Sequence, residues 1–105
     1  MEINLTRDAE KLAVAAYKVY LAEREKGASK DDAKDIEVQD IQPIYFSDTS
    51  LHDYFDTVAE MTRAFGCKMY IDGSFYLNDK FIAYMENRFK NGIKEALSFL
   101  AQFIP

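Results

Sequence analysis

The sequence holds one histidine, His52, and one cysteine, Cys67. In contact, such a pair would supply a nucleophile and its general base. His52 falls in the expected first turn of a helix, where the positive end of the dipole disfavours the protonated ring. No signature pairs it with Cys67, so His52 reads as a surface or capping residue. Cys67 follows Gly66 and reads as a small, inert, buried side chain. One cysteine cannot make an internal disulfide, and one His with one Cys is too few for a zinc site built on those ligands.

Asp31, Asp32, Asp35, Glu37 and Asp40 are the densest set of hard-oxygen ligands. The central glycine and closing glutamate of a calcium loop are missing, and the set reads as a solvated helix face. The pairs Tyr45-Phe46, Tyr54-Phe55 and Phe75-Tyr76 could stack nucleobases, but such platforms need a positive groove. Packing is the expected use. No metal or other cofactor is expected, and an enzyme is the least supported class because no carboxylate pair stands out from the exposed charge.

The elements that must position these residues follow from capping and periodicity. Thr6 caps a helix over Arg7–Lys26, apolar on more than one face, which Gly27 ends. Ser29 and Asp32 start a short helix over Lys30–Glu37. Pro43 makes Val38–Phe46 loop or edge strand. Asp48, Thr49 or Ser50 caps a helix over Leu51–Phe65 that stops at Gly66. Asp72-Gly73 between two β-prone runs predicts a hairpin with a two-residue type I′ turn. Asn78 or Asp79 then caps one continuous helix over Lys80–Phe103. At about 1.5 Å per residue that helix would be about 36 Å long. A globule of this length is about 34 Å across, so the helix is expected to project.

The expected fold is α+β, mostly helical, in one domain spanning residues 1–105. Long helix, short helix, helix, hairpin is the order of a winged-helix domain. Tyr17-Lys18-Val19-Tyr20-Leu21 leading to Gly27-Ala28-Ser29-Lys30 carries a closer resemblance. So does Phe75-Tyr76-Leu77-Asn78-Asp79-Lys80 running into Tyr84-Met85-Glu86-Asn87-Arg88-Phe89-Lys90-Asn91-Gly92. These stretches resemble the YjcQ-like group of small winged-helix proteins from Gram-positive bacteria and their phages. The resemblance implies that Ser50–Phe65 is the recognition helix and Met69–Tyr76 the wing.

Charge opposes the use of that fold on DNA. The chain has 13 Lys and Arg against 18 Asp and Glu, net −5. Residues 1–27 are neutral, residues 28–79 carry 4 basic against 11 acidic residues, and residues 80–105 carry 4 against 2. The deficit lies in the segment that would face a duplex. Asp53, Asp56 and Glu60 oppose Arg63 alone on the expected recognition helix.

The expected function is therefore that of a small dimeric regulator or adaptor acting through protein contacts, of phage or mobile-element origin. The C-terminal segment 80–105 is the dimerisation element, through Phe89, Ile93, Ala96, Leu97, Leu100 and Phe103. A DNA-binding transcriptional regulator is the alternative, with Arg63, Lys68, Lys80, Arg88, Lys90 and Lys94 as candidate contacts. An acidic decoy for a DNA-binding enzyme is a third reading. No apolar run reaches the roughly 20 residues of a membrane span, and the C-terminal segment lacks the basic face of a membrane foot. The expected location is the cytoplasm, without membrane contact.

Overall fold

A computed structural model describes residues 3–103. The first helix, α1 (Arg7–Glu25), is the centre of the molecule. Thr6 caps it through a bond from the Ala9 N–H, and Leu12 through Tyr17 are all buried. An unbroken buried run of that length needs neighbours on every side, and α1 packs against all the later helices. Its N-terminus is pinned from outside: the Glu60 carboxylate accepts from the Thr6 N–H at 2.9 Å and from the Thr6 hydroxyl at 2.8 Å.

The chain continues through α2 (Lys30–Ala33), β1 (Asp35–Ile36), α3 (Val38–Tyr45) and α4 (Leu51–Phe65). Two of these elements differ from the sequence expectation. The helix begun by Ser29 stops at Ala33, and Asp35–Ile36 becomes a strand that buries Ile36. Val38–Tyr45 is helical despite Pro43. Asp40 accepts from the Glu37 N–H at 2.9 Å and fixes the first turn. In an eight-residue helix the proline removes one internal bond, which the burial of Ile41 outweighs. Of the three expected caps for α4, Ser50 is the one used, accepting from the Asp53 N–H. Gly66 ends α4 in the left-handed conformation.

The strands β2 (Lys68–Met69) and β3 (Phe75–Tyr76) form the expected hairpin, and β1 adds to its other side, giving an antiparallel sheet in the order β1-β3-β2. Ile36, Phe75 and Met69 lie in one row facing the core, while Asp35, Tyr76 and Lys68 lie in the opposite row. This register makes the turn three residues long rather than two. Tyr70 pairs with Ser74, Gly73 donates to the Tyr70 carbonyl, and within the turn only Gly73 has positive φ. A type I′ turn would place Phe75 opposite Tyr70 and Tyr76 opposite Met69, mixing the apolar and polar rows. The turn is a type I bend closed by a glycine bulge.

The C-terminal expectation is corrected. In place of one helix, α5 (Asp79–Arg88) and α6 (Ile93–Leu100) are separated by a break at Gly92, whose φ of 65° and ψ of −129° are outside any helical region. Asn78 caps α5 by accepting from the Phe81 N–H, and donates its amide to the Phe65 carbonyl. The break turns α6 back onto α1. Arg7 then lies over the Phe103 ring, and Lys11 lies over the rings of Phe46 and Phe103. Nothing projects: the described residues extend 31 Å along each principal axis.

Candidate functional site

Folding back of α6 changes the meaning of the residues assigned to a dimer interface. Phe89, Ala96 and Leu100 are buried in the chain's own core, and Ile93 and Phe103 are half covered. Only Leu97 remains open, 46% exposed. The apolar stripe that seemed to require a second copy is met by α1 and by Phe99, whose ring packs edge-on to Phe89.

The six candidate nucleic-acid contacts are distributed over several elements: Arg63 on α4, Lys68 on β2, Lys80 on α5, Lys90 in the α5–α6 link and Lys94 on α6. Arg88 is committed internally. Its guanidinium pairs with Glu10 and stacks on Phe89 and Phe99, with ring centroids 5.0 and 4.8 Å away. The exposed side of α4 presents Leu51, His52, Asp53, Asp56 and Arg63. One positive group among two carboxylates is a poor match for a phosphate backbone.

His52 and Cys67 stand at opposite ends of α4, about 20 Å apart along the axis at about 1.5 Å per residue. His52 is exposed, 3.6 Å from Asp56. Burial pushes the Cys67 thiol above its ordinary value, which leaves less of the reactive thiolate. The two cannot act together.

The aromatic pairs divide between core and surface. Tyr54 and Phe75 are fully buried, and Phe46 is nearly so, its ring edge-on to Tyr54. Burial pushes the Tyr54 phenol up, and its hydroxyl has no hydrogen-bond partner among the described residues. Phe55 is half-buried and lies against the hairpin turn: a Cβ on Gly73 would sit 2.4 Å from Phe55 Cε1. The turn is thus docked onto α4 through ring-to-backbone contact. That docking holds Ile71 at the hairpin tip, where it is fully exposed. Leu51, one turn before Phe55 on the same helix face, is 54% exposed.

Beside this apolar tip lies an open groove of about 510 Å³, lined by Asp31, Asp32, Asp35, Glu37, Tyr70 and Tyr76. Its floor is the outward row of the sheet and its wall is α2 with the segment leading to α3. The Tyr76 hydroxyl donates to Asp31 at 2.6 Å, which pushes the phenol up and ties the floor to the wall. Lys34 pairs with Asp79, 2.5 Å distant. Among the described residues no group of three or more His, Cys, Asp or Glu is arranged to hold a metal ion. Of the acidic residues of 31–40, Glu37 and Asp40 hold the start of α3 and Asp31 accepts from Tyr76, while Asp32 and Asp35 are exposed. Sequence reasoning found those residues but not Tyr70 and Tyr76 beside them, because the short strand that assembles the groove was read as helix.

No helix among the described residues is long and apolar enough to cross a membrane. Comparison with protein-family models, with curated proteins and with solved structures gave no match.

Proposed function

We propose that this chain is a winged-helix protein of the adaptor type, whose hairpin and α4 contact another protein rather than DNA. The element order supports the fold: a long helix, one short helical turn, a strand, two helices and a hairpin, with the early strand pairing to the outer side of β3. In that reading α4 is the recognition helix and Tyr70–Ser74 the wing tip. The observation that carries the function is the chemistry of the tip. A side chain that is fully exposed at a docked turn costs the fold nothing when polar, yet here it is Ile71, flanked by Tyr70 and followed by Asp72. Apolar and acidic groups at the position of a wing suit a protein surface and repel a duplex.

A low-salt mobility-shift assay with random-sequence duplex tests the exclusion, and a photo-crosslinking residue at position 71 tests the contact. No shifted band is expected, and position 71 should capture a discrete species from a Gram-positive lysate that exposed position 83 on α5 does not. Tight, salt-sensitive retardation of the duplex, or equal labelling from both positions, overturns the proposal.

A further inference from the structure

We infer that the link between α5 and α6 is an exchange hinge, through which α6 leaves its own α1 and packs on the α1 of a second copy of this chain. The link is only Phe89–Gly92, closed by the Gly92 N–H on the Phe89 carbonyl at 2.9 Å and by Glu95, which accepts from the Asn91 N–H. Its flanking pattern does not ask for a bend. The prolines are Pro43 and Pro105, and Ile82, Met85, Phe89, Ile93, Ala96 and Leu100 follow one another at 3, 4, 4, 3 and 4 residues, the repeat of a single uninterrupted helix. The bend is set at Gly92, whose φ of 65° and ψ of −129° only glycine adopts without strain. In the bent form Ala96 and Leu100 are buried where α6 meets α1, and Arg7 and Lys11 lie over the Phe103 ring. With the link straightened, a helix from Asp79 to Leu100 would run about 33 Å at about 1.5 Å per residue, against an extent of 31 Å for the described residues. Residues 93–100 would stand clear of their own α1, and the surface already shaped for them is the α1 of another copy. A second copy re-forms every contact of α6 across two chains and changes only the hinge. The bent monomer prevails in dilute solution, because the exchanged dimer gains no contact to offset the cost of association. Strain in so short a link tips the balance the other way.

Gly92→Ala in the full chain, sized by light scattering over a concentration series, tests the hinge. Alanine suits a straight helix better than glycine, and in the bent form its Cβ would meet no atom within 4 Å, so the variant penalises the bend through the backbone alone. At about tenfold for each hinge relieved, a dimer that relieves two should form about 100-fold more readily than with the parent. Gly66→Ala carries the same kind of backbone penalty between α4 and β2, and should remain monomeric at the same concentrations. Amide chemical shifts of the Gly92→Ala dimer should match the parent's except near residues 88–93, because the packing of α6 is retained. A folded Gly92→Ala chain that stays monomeric at millimolar concentration, equal dimerisation of Gly66→Ala, or shift changes spread over another surface overturns the inference. Should Gly92→Ala fail to fold, the parent decides. Refolding it from urea at millimolar concentration should trap a dimer that reverts slowly on dilution, because α6 must undock first. Monomer alone, or a dimer that dissociates on mixing, overturns the inference.

Discussion

Replacing Gly73 by alanine isolates the contact that orients the hairpin. Gly73 has φ of +90°, and an added Cβ would sit 2.4, 2.9 and 3.0 Å from three atoms of the Phe55 ring. Gly66 provides the reference, since its φ of +73° carries a comparable backbone penalty while its added Cβ would meet only Asn78 Nδ2, at an ordinary 3.7 Å. The left-handed conformation costs an L-residue about 1–2 kcal/mol, the whole effect expected for Gly66→Ala. Displacing a half-buried aromatic ring adds about 1–3 kcal/mol, so Gly73→Ala should lose about 2–5 kcal/mol in all. That is a large fraction of the roughly 5–15 kcal/mol available to a domain. Urea denaturation of the two variants, repeated in a Phe55→Ala background, separates the parts. With the ring gone, Gly73→Ala should cost only the backbone penalty, a coupling of about 2 kcal/mol. Equal losses for Gly66→Ala and Gly73→Ala, or no relief from Phe55→Ala, would refute the docking of hairpin on α4.

Other consequences are equally direct. Leu100→Asp should destabilise the chain by about 4 kcal/mol or more, because Leu100 is buried within the chain, while light scattering gives the same mass as the parent. Gly92→Ala should cost about 2 kcal/mol from backbone strain alone, since no atom lies within 4 Å of the added Cβ, and thermal unfolding reads it. Tyr54→Phe should leave urea stability unchanged or raise it by up to about 1 kcal/mol, because the hydroxyl removed has no partner. Asp79 and Asp72 are held below their ordinary 3.8, the first by Lys34 and the second by Ser74. Their stabilisation is therefore present above the unfolded value and lost as pH falls through the lower folded values. A pH series of melting temperatures should show a shallower acid decline in the Asp72→Asn, Asp79→Asn double variant.

What the sequence concealed has a physical pattern. Caps and glycine stops located α1 and α4, because Thr6, Ser50 and Gly66 act on their immediate neighbours. The C-terminal break was invisible to periodicity. Met85, Phe89, Ala96 and Leu100 are spaced by 4, 7 and 4 residues, a helical repeat that runs across Gly92 unchanged, and the Asn91-Gly92 pair was the only local mark of a turn. The two-residue strand Asp35–Ile36 carries too little pattern to compete with the helix start before it, and its pairing with β3 is a long-range event. That omission also concealed the groove. Its carboxylates were legible as a charge run, but the tyrosines reach them only through the sheet register.

The most direct measurement is an amide chemical-shift titration of the ¹⁵N-labelled chain with duplex DNA at low salt. No shifts along α4 (Leu51–Phe65) or the hairpin are predicted. Saturating, salt-sensitive shifts along α4 and the hairpin would contradict it.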